Sequence, residues 1–161
     1  MKVRYVPNGV NTERFYPMTG GIAFEYLEDQ DQIKLNNKKI VLFIGALKKE
    51  KGIANLILSM KDINDAILLI IGKGKLRNEL LSLITTEKLN GRVFLLGPKL
   101  NSNLIYYYNC ADLTVIPSEN NYEGFPNVML ESLACGTPVL GTNTGEIPKL
   151  LKEERGKTIN S

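Results

Sequence analysis

Short apolar runs alternate with amphipathic segments along most of the chain. Residues 40–44 and 66–71 are continuous apolar runs, each followed by a glycine, which is typical of strands buried on both faces of a sheet. Between them, apolar residues at helical spacing predict a helix over residues 52–60. The same patterns predict further strands over residues 92–96, 113–116, 138–140 and 157–159, and further helices over residues 75–86, 102–110, 127–135 and 147–152.

The first 38 residues are polar and irregular, and they contain a turn-like Pro7-Asn8-Gly9. We predict a lead-in strand and a linker in this segment, with a short helix near residues 22–27. The regular alternation begins at Lys39. We therefore expect the main domain to run over residues 39–161.

Strands that alternate with helices across short loops predict right-handed crossovers and a parallel sheet. We expect an α/β fold, a Rossmann-like parallel sheet flanked by helices on both faces. In such a sheet, ligands bind outside the carboxyl ends of the strands. The loops that follow the predicted strands are therefore the places to look for a site, at residues 45–52, 72–75, 97–101, 117–127 and 141–146.

Composition narrows the chemistry that such loops can support. The chain has 161 residues, of which 43% are hydrophobic, enough for one sizeable core. It has no histidine, which excludes Ser-His-Asp and Cys-His nucleophile systems, His-ligated zinc and His general bases. Its two cysteines, Cys110 and Cys135, are too few for a disulfide framework, and we expect both to be reduced and buried in a cytosolic protein.

The net charge of +3 is too mild to indicate a nucleic-acid partner. The longest apolar runs fall far short of the roughly 20 residues of a membrane span. Residues 1–10 lack the apolar region of a secretory signal peptide. Carboxylates, lysines, backbone amides and helix N-termini remain as the groups that can carry a function.

Two glycine-containing loops are candidates for anion binding. In residues 45–52, glycines and Lys51 precede a predicted helix, which favours an anion, although a solvated charged turn explains the same residues. Residues 72–75 contain Gly72-Lys73-Gly74, but Arg77 stands where a dinucleotide-binding fingerprint has its third glycine. This loop therefore argues against binding of NAD.

The loop after residues 113–116 has the richest chemistry. Glu123 precedes a Gly-Phe-Pro turn into a predicted helix, whose first N–H groups can hold a phosphate. Asn127 and Glu131 are four residues apart and share one helix face. Two carboxylates beside such a helix start suit a nucleotide with hydroxyl-rich groups. A solvent-exposed loop followed by an ordinary surface glutamate explains them equally well.

Two weaker motifs have plainer explanations. Thr142, Asn143 and Thr144 offer hydrogen-bond donors to a sugar or phosphate, but a turn with a helix cap accounts for them too. Asp29-Gln30-Asp31 has the carboxylate spacing of some metal sites. We interpret it as a solvated acidic run in an unanchored linker.

Taken together, the motifs resemble the C-terminal, donor-binding half of the GT-B glycosyltransferases of family four, the retaining glycosyl transferases group 1. Two glutamates with seven residues between them are the hallmark of that family. The resemblance spans nearly the whole chain. It is carried by Val6-Pro7-Asn8-Gly9-Val10, Phe15, Pro17, Phe43-Ile44-Gly45, Lys51-Gly52, Ile71-Gly72-Lys73-Gly74, Val93-Phe94-Leu95-Leu96-Gly97, Ala111-Asp112, Pro117-Ser118, Glu123-Gly124-Phe125, Glu131, Gly136-Thr137-Pro138-Val139 and Gly145-Glu146-Ile147-Pro148.

The resemblance implies a reaction and a set of roles. A sugar would pass from a nucleotide diphosphate sugar to an acceptor hydroxyl of a glycan, lipid or polysaccharide, with retention of configuration. Glu123 would be the catalytic carboxylate near the reacting carbon, Lys51 would contact the diphosphate and Glu131 would hold the ribose hydroxyls. The other implied donor-binding residues are Gly45, Gly97, Pro98, Lys99, Gly124, Phe125, Asn127 and Val128, with residues 97–99 along the base.

The sequence departs from the family pattern at several positions. Ala46 stands where an arginine usually clamps the diphosphate, and loss of that contact would weaken donor binding by about 1.5–3 kcal/mol unless Lys48 or Lys49 substitutes. The usual Gly-Gly is Gly145-Glu146, and Lys149 replaces an acidic residue.

The resemblance also implies that the chain is half of an enzyme. The N-terminal acceptor-binding domain is absent, and residues 39–161 stop before the usual closing helices, so we expect little activity from the chain alone. The acceptor domain would be supplied in cis or in trans. A nucleotide-sugar-binding subunit and a degenerate, non-catalytic binder remain alternatives. The lack of histidine and the intact glutamate pair argue against a nucleotide-sugar epimerase of related fold.

The expected partners follow from the same resemblance. They are a nucleotide-sugar donor and an acceptor-binding GT-B domain, with no metal or other cofactor and no nucleic acid. We predict a cytoplasmic protein that works at the inner face of the membrane only if the absent parts of the enzyme bring it there.

Overall fold

Six strands form one sheet in the computed structural model, which describes residues 8–19, 21–33, 38–119, 126–151 and 156–159. The strands are β1 (Lys39–Ile44), β2 (Ala66–Ile71), β3 (Val93–Gly97), β4 (Leu113–Ile116), β5 (Val139–Thr142) and β6 (Gly156–Ile159). Each begins within a residue or two of the position that the apolar pattern predicts.

The sheet order is β3-β2-β1-β4-β5-β6, and every neighbouring pair is parallel. The chain therefore builds outward from β1 to β3, returns across the sheet and builds outward again from β4 to β6. The direction of winding reverses between β1 and β4. In a doubly wound sheet of this kind, that switch point opens a crevice at the carboxyl ends of the strands.

The described part of the chain contains six helices. They are α1 (Ile22–Asp31), α2 (Ile53–Ser59), α3 (Arg77–Thr86), α4 (Leu104–Cys110), α5 (Asn127–Ala134) and α6 (Ile147–Leu150). Single 3₁₀ turns at Lys49–Lys51 and Asn101–Asn103 precede α2 and α4. The predicted helix over residues 102–110 is thus shorter than its sequence pattern suggests.

The core lies on both faces of the sheet, because all six residues of β2 are buried. On one face, Ile57 of α2 and Leu80 of α3 pack against the strands. On the other face, Leu27 of α1 and Tyr107 of α4 do the same. A smaller cluster joins Met129 of α5 to the end of β4 and the start of β5. The α/β, Rossmann-like prediction is confirmed.

The helix α1 is longer than predicted and is part of the core. Phe15, Ala23 and Leu27 are buried in the same cluster as Tyr107 and Tyr108 of α4. The side chain of Asp31, at the end of α1, is 7% exposed and pairs with Lys99 and Tyr107. The interpretation of residues 29–31 as a solvated, unanchored acidic run is therefore wrong for Asp31. The division of the chain at residue 38 stays a prediction.

One face of the sheet carries a large apolar cavity beside α2. It has a volume of about 700 Å³, and Leu56, Met60, Val115, Leu140 and Ile159 line it. Right-handed crossovers explain why it is open, because they place α2 and α3 over β1–β3 and put α5 and α6 on the opposite face. None of the helices in the described ranges is long and apolar enough to cross a membrane.

Candidate functional site

Two cavities lie side by side at the carboxyl edge of the sheet. One, of about 270 Å³, lies between the ends of β1 and β4 and the start of α5, and we call it the α5 cavity. The other, of about 360 Å³, lies by the ends of β1, β2 and β3, and we call it the β3 cavity. Both are lined by Ile44, Gly45 and Ala46, so together they form one crevice at the switch point.

Close contact between two loops brings Lys51 to this crevice. Gly52 has φ +62°, and a Cβ atom there would lie 2.0 Å from the carbonyl oxygen of Pro117, which follows β4. The backbone N–H of Glu119 also donates to the carbonyl oxygen of Glu50, at 2.9 Å. A glycine is therefore required where the loop after β1 rests on the end of β4. As a result, Lys51 lines the α5 cavity together with Ser118.

The start of α5 forms the opposite wall of the α5 cavity. Pro126 caps the helix in an extended conformation, and Asn127 and Val128 are its first residues. The first N–H groups of a helix have no acceptor within the helix, so this wall presents hydrogen-bond donors and a positive dipole end. Asn8 steadies Asn127 from outside, because its Nδ2 donates to Oδ1 of Asn127 at 3.1 Å.

Glu131 lies one turn further along α5 and lines neither cavity. The hydroxyl of Tyr108, on α4, donates to its Oε2 at 2.7 Å. Burial and the charge of the Glu131 carboxylate hold the pKa of Tyr108 well above its usual value, so the phenol stays protonated. The buried tyrosine therefore fixes one oxygen of a half-buried carboxylate.

The loop that follows β3 lines part of the β3 cavity. Gly97 has φ +73°, and its carbonyl oxygen accepts from the N–H of Gly72, at 3.0 Å. Pro98 and Lys99 line the cavity. The Lys99 ammonium group forms a buried ion pair with Asp31 and lies 5.5 Å from the centre of the Tyr107 ring. Lys99 is thus held by α1 and α4 at the edge of the crevice.

The structure brings six of the eleven predicted site residues to the walls of the two cavities, and Gly97 and Glu131 lie outside both linings. Around the α5 cavity it gathers Gly45, Lys51, Asn127 and Val128, and around the β3 cavity it places Pro98 and Lys99 beside Gly45. The predicted site residues Glu123, Gly124 and Phe125 lie outside the described residues. Their predicted roles stay predictions.

Thr142 and Thr144 have structural roles at the end of β4. Both are buried, and the Thr142 hydroxyl donates to the carbonyl oxygen of Ser118 at 2.6 Å. The Thr144 hydroxyl reaches the same oxygen at 3.5 Å. They hold the start of the loop after β4 in place, so the plain explanation of these residues as part of a turn is the one that the contacts support.

Sequence reasoning did not assign a site role to Tyr108 or to Asp31. Each contacts a site residue far along the chain, 23 residues from Tyr108 to Glu131 and 68 from Asp31 to Lys99. The cluster of three tyrosines at residues 106–108 was the signal available for Tyr108. Across the described ranges, no three His, Cys, Asp or Glu side chains group closely enough to hold a metal ion.

The sheet order and its crevice define a doubly wound domain of the Rossmann-like class. The family model described as glycosyl transferases group 1 matches residues 26–159. The uncharacterized glycosyltransferase MJ1607 of Methanocaldococcus jannaschii is 37% identical over 122 residues, which are 74% of this chain and 31% of that protein. A D-inositol 3-phosphate glycosyltransferase of Corynebacterium jeikeium is 34% identical over 91% of this chain and 36% of its own length.

Solved structures match over almost the whole chain. A sucrose-phosphate synthase from Thermosynechococcus elongatus has a TM-score of 0.82 and 30% identity over 98% of this chain and 39% of its own. HepE of Anabaena, in complex with UDP-glucose, has a TM-score of 0.79 and 22% identity over 95% and 42%. The C-terminal domain of LpcC, a group 1 glycosyl transferase of Francisella tularensis, has a TM-score of 0.77 and 24% identity over 94% and 80%.

The chain belongs to the glycosyl transferases group 1 family. Its neighbours are GT-B glycosyltransferases, and it corresponds to a C-terminal-type domain of that fold. The resemblance derived from the motifs is therefore confirmed at the level of family and fold. The chain spans about a third of the length of the curated relatives reported above.

Proposed function

We propose that the chain is the donor-binding domain of a retaining glycosyltransferase, and that its crevice binds a nucleotide diphosphate sugar. The observation that carries this proposal is the α5 cavity, where Lys51 and the start of α5 face one space at the switch point of the sheet. UDP-glucose in the HepE complex supports the ligand class.

The charges around the α5 cavity suit a diphosphate. Lys51 supplies a cation on one wall, and the dipole of α5 supplies partial positive charge on the other. Charge-assisted hydrogen bonds to phosphate oxygens are about twice as strong as neutral ones. These groups would bind the donor and then stabilise the negative charge that develops on the leaving diphosphate.

The two ends of the nucleotide sugar would lie on either side of the diphosphate. The base would extend into the β3 cavity along Pro98 and Lys99, and the ribose hydroxyls would reach Glu131. Glu123 would approach the sugar ring from the segment before α5. Gly124 and Phe125 would complete the α5 side of the α5 cavity. A carboxylate near the ring suits the positive charge of an oxocarbenium-like transition state.

Transfer itself would need a second domain that binds the acceptor. Catalysis between two substrates depends on holding both in position, and the crevice of this chain accounts for one of them. We propose an acceptor domain of the GT-B type, in cis or in trans, and a glycan, lipid or polysaccharide acceptor. No metal ion takes part in this proposal, because lysine and helix N–H groups supply the positive charge.

The experiment is calorimetric titration of the purified chain with UDP, GDP, ADP and their glucose conjugates. One of these should bind and stabilise the chain by about 2.7 kcal/mol at 100 times its dissociation constant. Lys51→Ala should weaken binding by about 1.5–3 kcal/mol through loss of a charge-assisted contact. Lys61→Ala is the control, because Lys61 is an exposed lysine paired with Glu87 beyond the end of α2.

A folded chain that binds none of these nucleotides contradicts the proposal. Binding that Lys51→Ala and Lys61→Ala weaken equally contradicts the placement of the diphosphate in the α5 cavity. The nucleotide that binds most tightly names the base of the donor.

A further inference from the structure

Tyr108 is a completely buried tyrosine whose hydroxyl group points at α5, the helix that begins at the α5 cavity. Its ring is 0% exposed within the core, and its hydroxyl donates to Oε2 of Glu131 at 2.7 Å. Among the described residues, the Tyr108 hydroxyl is the group that donates a hydrogen bond to the Glu131 carboxylate. A buried hydroxyl needs a partner, and here the partner is a half-buried charge rather than a core group.

The rest of Tyr108 is held firmly, so its hydroxyl has a fixed position. Its ring meets Phe15 edge to face, with ring centres 5.8 Å apart. Its backbone carbonyl accepts from the Thr137 hydroxyl at 2.6 Å. Ser132, the neighbour of Glu131 on α5, is itself bonded to Thr114 and to the carbonyl of Thr137. The helices that carry Tyr108 and Glu131 are therefore joined by packing and by hydrogen bonds through Thr137.

We propose that Tyr108 is a positioning residue for nucleotide binding: it fixes the Glu131 carboxylate so that Oε1 faces the ribose hydroxyls. This inference rests on the proposed function. A glutamate side chain has three rotatable bonds, and ordering it on binding costs free energy. The bond from Tyr108 supplies that order before the nucleotide arrives, and it leaves Oε1 as an acceptor for a ribose hydroxyl.

The test compares two ligands that differ only in the ribose hydroxyls. Calorimetry gives the dissociation constants of UDP and of 2′,3′-dideoxyuridine diphosphate for the wild-type chain, Tyr108→Phe, Glu131→Ala and the double variant. GDP or ADP and their dideoxy forms replace them if one binds more tightly. The matched control is Tyr107→Phe, which removes the neighbouring phenol hydroxyl that bonds to Asp31 instead. Both tyrosine variants keep the ring and the packing.

We expect Tyr108→Phe to weaken binding of the ribose form about tenfold and to leave the dideoxy form unchanged. Tyr107→Phe should leave the ratio of the two dissociation constants as in the wild-type chain. In the Glu131→Ala background, Tyr108→Phe should have no further effect on that ratio. A merely structural role for the hydroxyl would change both ligands alike.

Three outcomes overturn the proposal in different ways. If Glu131→Ala abolishes the preference for ribose and Tyr108→Phe keeps it, Tyr108 does not position Glu131 and the proposed function stands. If neither variant changes the preference, Glu131 does not bind the ribose and its assignment under the proposed function fails. If no nucleotide binds to the folded wild-type chain, both proposals fail.

Discussion

At the scale of single residues, the buried carboxylate of Asp31 links elements that are far apart in the sequence. Asp31 ends α1, Lys99 follows β3, and Tyr107 belongs to α4. The Asp31 carboxylate accepts hydrogen bonds from both of the other side chains. Removing one partner from such a group leaves the other buried without compensation, which is where the free-energy cost arises. Asp31 is therefore the residue that ties α1 to the wall of the crevice.

Replacing Asp31 by asparagine tests this pairing. The volume is kept, but Lys99 loses its counter-charge, and we expect the free energy of unfolding to fall by about 2–3 kcal/mol. The full value for a buried pair is not reached because 19% of the Lys99 side chain is exposed. Asp29→Asn, an exposed position on the same helix, should change stability by less than about 0.5 kcal/mol. Urea unfolding followed by circular dichroism measures both, and equal effects would contradict the pairing.

At the scale of elements, the loop after β1 and the end of β4 are fitted to each other at Gly52. The left-handed backbone favours glycine at this position, and a Cβ atom on residue 52 would lie only 2.0 Å from the Pro117 carbonyl oxygen. This contact sets the distance between Lys51 and the start of α5. The contact between Gly52 and Pro117 thus controls the geometry of the α5 cavity.

Gly52→Ala should lower the free energy of unfolding by about 2–4 kcal/mol, the sum of backbone strain and a steric clash. Gly91→Ala is the control, because Gly91 also has a positive φ, +80°, but has open space around it. Strain alone should cost about 1–2 kcal/mol there. Denaturant unfolding of the two variants gives the difference. A Gly52 variant no less stable than the Gly91 variant would show that the loops can separate at little cost.

The fold was predictable where burial alone determines the residue types. In β2 every position is buried, so its unbroken apolar run identified the strand without further information. The helix α1 was underestimated because Asp31, at its end, has its partners Tyr107 and Lys99 on other parts of the chain, which no local pattern reveals. The start of α4 was misplaced for a similar reason, since a 3₁₀ turn and three tyrosines blur the helical period.

The placement of the candidate site was predictable for its loop residues and less so for the residues that support them, while the roles of all of them stay predictions. Lys51 and Asn127 follow from the rule that ligands bind at the carboxyl ends of parallel strands, and the structure places both at one cavity. Tyr108 supports Glu131 from another helix, and the packing of α4 against α5 is a tertiary contact. Such contacts depend on the docking of whole elements, which spacing within one segment does not specify.

At the scale of the whole molecule, two buried thiols make the free energy of unfolding depend on pH in the alkaline range. Burial raises the pKa of Cys110 to about 12 and that of Cys135 to about 11, against an ordinary value of 9.0. Above pH 9 the unfolded chain loses these protons while the folded chain keeps them. The stabilising contribution is therefore complete below pH 9 and is lost as the pH rises toward 11–12.

We expect the free energy of unfolding to fall by about 1.4 kcal/mol per pH unit for each thiol between pH 9 and pH 11. Urea unfolding by circular dichroism at a series of pH values measures this slope. The double variant Cys110→Ala, Cys135→Ala should have a shallower slope, and the buried tyrosines together with the paired lysines Lys39 and Lys61 contribute to the remainder. Equal slopes for the double variant and the wild-type chain would contradict the assignment to the thiols.

The apolar cavity beside α2 also determines which optical signals can follow this protein. Dyes that fluoresce in apolar surroundings would find a cavity of about 700 Å³ in the native state, so their emission would be high before any heating. Intrinsic fluorescence offers no simple substitute, because the chain has seven tyrosines and no tryptophan. Heat capacity and far-ultraviolet dichroism report on the fold directly, and high dye emission from the unheated protein would signal the apolar cavity rather than the loss of structure.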